Sequence, residues 1–223
     1  LVVNNLKAAG LEQFQISIGH ADLFRQLMKA ADFDAEAEET LRDLILNKNF
    51  FGVDEFLERH QVTDDLRSLF SMLGKMYASP KEWAGMKEIA LRFPGVADAL
   101  SYLQELYELL EVYDVTKYVS FELGLISSYS YYTGILFSGY TFGSGEPIVK
   151  GGRYDGLLSY FGKEAPAIGF ALMTNFYWHW SGKRSPFRQD RKQRSSYTHR
   201  SRERSLPQLQ RNCEMQARLS ACI

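Results

Sequence analysis

Apolar residues recur at helical spacing through the first half of the chain and at alternate positions through the later part. Leu23, Phe24, Leu27, Met28 and Ala31 fall on one stripe, which predicts a helix with one buried face. Leu41, Leu44 and Ile45 form the next stripe, with Asp34 placed to cap that helix and Glu36, Glu38 and Glu39 at its positive end. A short helix over Asp54 to His60 carries Phe56 and Leu57, and Thr63 caps another whose inward residues are Leu66, Leu69, Phe70 and Leu73. Ser79-Pro80-Lys81-Glu82 is a capping box with proline at the first helical position, followed by Trp83, Met86 and Ala90 facing the core. Phe93-Pro94-Gly95 reads as a turn, and Val96 to Tyr113 as the longest helix, with Val96, Ala99, Leu100, Leu103, Leu106, Tyr107 and Leu110 on one face. The first residues, Leu1 to Gly10, read as the end of a helix stopped by Gly10.

A period of two marks the strands. Phe14-Gln15-Ile16-Ser17-Ile18-Gly19-His20 alternates apolar and polar, as a half-buried strand does; His20 then lies at a sheet rim or touches a ligand. Thr116 to Phe121, Tyr131 to Tyr140, Pro147 to Val149 and Ala167 to Leu172 are further strand candidates, and Tyr154 to Phe161 a helical turn or short helix. Helices first and neighbouring strands afterwards predict an α+β domain, an antiparallel sheet flanked by helices, with the helical segment at about 21–113. There is no internal repeat.

Composition sharpens this outline. A hydrophobic fraction of 45% is enough for a core. Of 26 basic and 27 acidic residues, 11 basic and 3 acidic lie from Phe176 onward. The body is therefore acidic and the tail basic, which predicts two segments of different origin or role. The domain reading is residues 1–175 as one unit and 176–223 as a basic tail. For the tail three readings stand: a disordered segment that binds nucleic acid, a second domain, or an out-of-frame, non-native extension. The abrupt compositional change favours the last. The chain starts at Leu1 without Met, which reads as a fragment lacking its beginning. Both cysteines, Cys213 and Cys222, are in the tail, so the body holds no disulfide framework or cysteine metal site, compatible with the cytoplasm. No signal peptide or 18-residue apolar run argues for secretion or a membrane.

The stretch from Tyr131 to Phe170 carries the candidate chemistry. It contains Tyr131-Tyr132-Thr133-Gly134-Ile135-Leu136-Phe137, then Gly151-Gly152-Arg153-Tyr154-Asp155-Gly156-Leu157, then Pro166-Ala167-Ile168-Gly169-Phe170-Ala171. Read as a turn, Gly151 and Gly152 permit positive φ and bring backbone N–H groups near a ligand. Arg153 offers a planar fork of donors for a carboxylate or phosphate, and Asp155 orients Arg153 or takes an ammonium. Tyr131 and Tyr132 on a strand point to opposite faces, one inward and one to the ligand, and Thr133-Gly134 brings backbone close again. The plainer alternative is a glycine turn with a local Arg–Asp pair and two packed tyrosines. Phosphate-loop, HExxH, CxxC and Ser-His-Asp signatures are absent.

These three segments, in this order and spacing, resemble the histidine-site motifs and the start of the third class II motif of histidyl-tRNA synthetases. The resemblance implies a class II synthetase-like catalytic-domain fold. It runs back loosely to Leu1 and ends near Thr174. It also implies departures. Active synthetases of this family carry an Arg-Gly-x-Asp run directly before Tyr-Tyr-Thr-Gly and a glutamate directly after the Val-Phe that follows. Here those positions are Ser127, Ser128, Tyr129 and Ser130, and then Ser138. The losses make aminoacylation implausible, since one preorganised stabiliser alone contributes roughly 10²–10³ in rate.

The chain is similar in this respect to the synthetase-like regulatory subunits of ATP phosphoribosyltransferase. That resemblance implies a non-catalytic protein without cofactor or metal, partnered by a short-form catalytic subunit and self-associating. It would respond to histidine as effector in the first step of histidine biosynthesis, with no productive tRNA binding and no membrane association. The pocket it implies uses Tyr131, Tyr132, Thr133, Gly134, Gly151, Gly152, Arg153 and Asp155. A divergent histidyl-tRNA synthetase is the competing expectation.

Overall fold

The computed structural model describes residues 1–127, 129 and 131–173. The expectations for Phe176 to Ile223 lie outside the described residues, as do Ser128 and Ser130. The described chain opens with α1 (Val2–Ala8), stopped by Gly10 at φ +84°, and β1 (Phe14–His20). Five helices follow: α2 (Ala21–Ala30), α3 (Ala35–Leu46), α4 (Phe50–Arg59), α5 (Asp64–Ser71) and, after the two-residue β2 (Met76–Tyr77), α6 (Ala84–Ala90). The long α7 (Pro94–Val112) leads to β3 (Val119–Glu122), β4 (Ile135–Thr141), β5 (Val149–Tyr154) and β6 (Ala167–Leu172). Helices α2 to α7 thus span Ala21 to Val112, interrupted by β2.

Local signals explain most helix starts. The Asp34 carboxylate accepts from Ala37 N at 2.8 Å, and Glu82 closes the capping box by accepting from Ser79 N at 2.8 Å. Thr63 stands at the start of α5, but its side chain makes no capping bond. Helix α4 begins at Phe50, four residues before the predicted start, because Asn49 accepts from Gly52 N and supplies the cap. Pro94 is the first residue of α7 rather than a turn, its fixed φ suiting a first helical position. Non-glycine residues at positive φ (Asp32, Lys48, Gln61 and Asp114) each follow a helix end and reverse the chain.

The strands form one six-stranded sheet in the order β2-β3-β1-β4-β5-β6. Every pairing is antiparallel except β1 with β3, which run parallel. Three local predictions are corrected. Strand β1 is buried on both faces rather than half-buried, with Ser17 at only 2% exposure. Residues 116–118 make a 3-10 turn, and the strand starts at Val119. Gly151 to Tyr154 are strand residues of β5, not a turn, and neither glycine has positive φ.

One face of the sheet carries Phe14, Ile16, Ile18, Val119, Phe121, Ile135, Phe137 and Val149, all in a single core with the helices. Trp83 is 1% exposed and sets its ring edge-on against Phe121 at 5.1 Å and Tyr77 at 5.5 Å. Burying each such side chain contributes about 1.5–3 kcal/mol. The opposite face is polar. Ser120, Ser17, Ser138 and Lys150 stand in one register row across four strands. Among the described residues no helix is long and apolar enough to cross a membrane.

Candidate functional site

The polar sheet face is the floor of a cleft of about 910 Å³. Alternation fixes which residues reach it: Glu122 from β3, Leu136, Ser138 and Tyr140 from β4, and Lys150 and Tyr154 from β5. The segment joining β3 to β4 adds Tyr129, Tyr131 and Tyr132, and the turn between α3 and α4 adds Lys48.

The tyrosines form one cluster. Tyr131 stacks on Tyr129 at 5.5 Å, lies 4.4 Å from Tyr132, and meets Tyr154 edge-on at 6.0 Å. Strand β4 starts only at Ile135, so Tyr131 and Tyr132 precede it in irregular backbone and both line the cleft. The expectation that they face opposite ways rested on a strand that is not there. The ladder stops there because its partner strand does: β1 ends at His20, and the Ala21 N bond to the Gly134 carbonyl at 2.8 Å is the last of the pairing before α2 turns away. Burial, and then a hydrogen bond with Tyr131, pushes the Tyr132 phenol above its ordinary range. It therefore remains a neutral phenol, able to donate and to accept.

Gly152 and Gly151 serve packing. A Cβ on Gly152 would lie 2.6 Å from Tyr132 Cε1, and one on Gly151 would lie 2.5 Å from Phe137 Cζ on the other face. The two glycines thus admit one aromatic ring to each side of β5.

The structure separates the remaining predicted residues from the cleft floor. Arg153 alternates with Lys150 and Tyr154 and projects toward α7. Its Nε donates to Asp155 at 2.9 Å. That bond, followed by one with Tyr102, holds the guanidinium above its usual range. Thr133 Oγ1 accepts from Asp155 N at 3.0 Å, and Thr133 N donates to Arg153 O at 3.0 Å. Gly134 lies against the Arg153 side chain. These four residues form a brace that sets the approach of the tyrosine segment to β5. Tyr131, Tyr132 and Gly151 line the cleft itself.

His20 caps α2, its Nδ1 accepting from Asp22 N at 3.3 Å. Its ring meets Tyr102 edge-on at 5.3 Å. It is buried on the helix-facing side of β1, so it is a rim residue and not part of the cleft lining. Burial lowers its pKa from the ordinary 6.5.

Sequence reading missed Lys48, Glu122 and Lys150. Glu122 is nearly buried, and Lys48 Nζ donates to its Oε1 at 2.7 Å. That bond raises the lysine's pKa. Alternation within Val119-Ser120-Phe121-Glu122 was the available signal for Glu122. Nothing local marks Lys48, which is 74 residues away in sequence. Among the described residues no His/Cys/Asp/Glu group has the arrangement to hold a metal.

Residues 1–176 match the family model described as histidyl-tRNA synthetase. An ATP phosphoribosyltransferase regulatory subunit from Acetivibrio thermocellus is 38% identical over 173 residues, covering 78% of this chain and 41% of that protein. The chain therefore spans about two fifths of the length of that relative. Among solved structures, an ATP phosphoribosyltransferase regulatory subunit/histidyl-tRNA synthetase from Bacillus halodurans superposes with a TM-score of 0.69 at 31% identity, over 80% of this chain and 47% of the other. A histidine–tRNA ligase subunit from Alicyclobacillus acidocaldarius superposes with a TM-score of 0.70 at 29% identity, over 79% of this chain and 56% of the other. The mixed sheet with its helical flank is thus the class II synthetase-like fold of these relatives, and the chain belongs to the histidyl-tRNA synthetase family.

Proposed function

We propose that the full-length protein carrying this chain is the non-catalytic regulatory subunit of an ATP phosphoribosyltransferase, with the tyrosine-walled cleft as its histidine pocket. In this reading it assembles with a short-form catalytic subunit and with itself, in the cytoplasm. It is required for condensation of ATP with phosphoribosyl pyrophosphate, and it transmits feedback by histidine.

The observation that carries the reading is the chemistry of the cleft floor. Ser138 stands in register beside Lys150, where the resemblance places a glutamate in active synthetases. Among the described residues lining the cleft, Glu122 is the one carboxylate, and it is already paired with Lys48. A pocket with aromatic walls and hydroxyls suits holding a small polar molecule. Among its described residues the charged groups are Lys48, Glu122 and Lys150, not the row of preorganised charges that adenylate formation needs. The regulatory-subunit relatives support the same conclusion.

Feedback requires that histidine favour one state of the assembly, with a coupling of roughly 1–3 kcal/mol. The test is reconstitution of the full-length protein with a short-form catalytic subunit. Condensation activity should depend on both proteins and fall on addition of histidine, and calorimetry should show histidine binding. Activity of the catalytic subunit that is indifferent to this protein would defeat the proposal. The family model and the ligase-named neighbour favour a second reading, a divergent synthetase. Histidine-dependent pyrophosphate exchange would establish that reading, and none is expected.

A further inference from the structure

The Lys48–Glu122 pair has an unusual position for an ion pair. Glu122 ends β3, and its side chain is only 12% exposed, whereas the Lys48 side chain is 67% exposed. Lys48 comes from the turn closing α3, where a φ of +54° directs its exit. Both residues line the cleft, as does Tyr140 from β4. Two residues before Glu122, on the same face of β3, the Ser120 hydroxyl is buried and has no hydrogen-bond partner among the described residues. The end of β3 therefore presents a shielded carboxylate and an unspent hydroxyl. Among the described residues the cation on that carboxylate is Lys48, whose own side chain is mostly in solvent.

A shielded charged carboxylate is costly without a cation, so ionised Glu122 favours a cationic partner. An exposed lysine is the partner easiest to replace, because its ammonium returns to water at little loss.

We infer that Glu122 is the cleft's cation-binding residue, and that a ligand's ammonium group takes it by displacing Lys48. Lys48 is then an internal competitor that occupies the site until the ligand arrives. The inference rests on the reading of the cleft as a histidine pocket, and it assigns the ammonium end of the ligand. The tyrosine cluster is left to the imidazole, and Lys150, a cation lining the cleft, to the carboxylate. No bond is made or broken; one charge-assisted hydrogen bond replaces another.

The test is calorimetric titration of the full-length protein with histidine and with imidazole-propionate, which lacks the ammonium. Glu122→Gln keeps the shape and removes the charge, and should weaken histidine binding roughly 10- to 100-fold. It should leave the already weaker binding of the amine-free analogue unchanged. Lys48→Met should tighten histidine binding, by up to about fivefold, and Lys48→Arg should restore the original affinity. The opposite signs separate this role from a structural ion pair, for which both variants would lower the melting temperature together and leave affinity alone. That outcome overturns the inference while leaving the histidine pocket intact. If the unaltered protein binds no histidine, the pocket reading and this inference fall together.

Discussion

Gly152 and Tyr132 occupy one another's space: the Tyr132 ring lies where a Cβ on Gly152 would be, 2.6 Å from Cε1. The glycine is therefore the surface on which a cleft wall rests. Gly152→Ala must push the ring away or bend β5. Overpacking of this kind costs about 1–3 kcal/mol. The expected result is a lowered denaturation midpoint together with loss of histidine binding. Unchanged binding in a folded Gly152→Ala protein would show that Tyr132 is not a wall of the site.

Arg153 gives the contrasting expectation. It braces Asp155 on the α7 side, and both side chains are about two-fifths exposed. Solvent screens such a pair, so Arg153→Ala should lower stability by less than about 1 kcal/mol. Histidine affinity should be unchanged within error, since the guanidinium does not line the cleft. A large loss of affinity in calorimetry, without a change in melting temperature, would place Arg153 back among the ligand contacts.

His20 predicts a pH dependence. Burial, the largest influence on it, lowers its folded pKa below the ordinary 6.5, while Asp22 opposes and Arg25 assists. Between the folded value and 6.5 the unfolded chain binds more protons than the folded one. Stability contributed by neutral His20 is thus full above 6.5 and declines as pH falls below it. The cap bond requires an unprotonated Nδ1 to accept from Asp22 N, which acts in the same direction. Urea midpoints measured from pH 7.5 down to 5 should fall in the unaltered protein and fall less in His20→Asn, which keeps a capping side chain.

Trp83 tests the core. Its indole is almost fully buried, and its Nε1 has no hydrogen-bond partner among the described residues. Trp83→Ala should cost about 3–5 kcal/mol by leaving a cavity between Tyr77 and Phe121. Trp83→Phe should cost much less, because it also removes a donor left unsatisfied. Chemical denaturation of the two variants decides this, and near-equal losses would mean that the Nε1 group is satisfied.

Residues whose structure depends on near neighbours in sequence were legible from the sequence. The stripe from Leu23 to Met28, the Asp34 cap and the Ser79–Glu82 box each act within four or five residues, so periodicity and capping chemistry suffice to place them. The same holds for the resemblance carried by Tyr131 to Ala171, which fixed the family from residue order alone.

Tertiary contacts decided the rest. Two adjacent glycines suggest a turn, yet Gly151 and Gly152 are strand residues because Phe137 and Tyr132 pack on their two faces. Two adjacent tyrosines suggest alternation, yet both line the cleft because β1 gives way to α2 at Ala21 and leaves the residues before Gly134 without a strand to pair with. Lys48 meets Glu122 across 74 residues, and three serines align with Lys150 only through strand register. Sequence by itself determined which segments are helices and which family they build. The polar floor, its Glu122 carboxylate and the lysine resting on it depend on which strands pair and where a distant turn lands. Those long-range choices leave no local pattern to read.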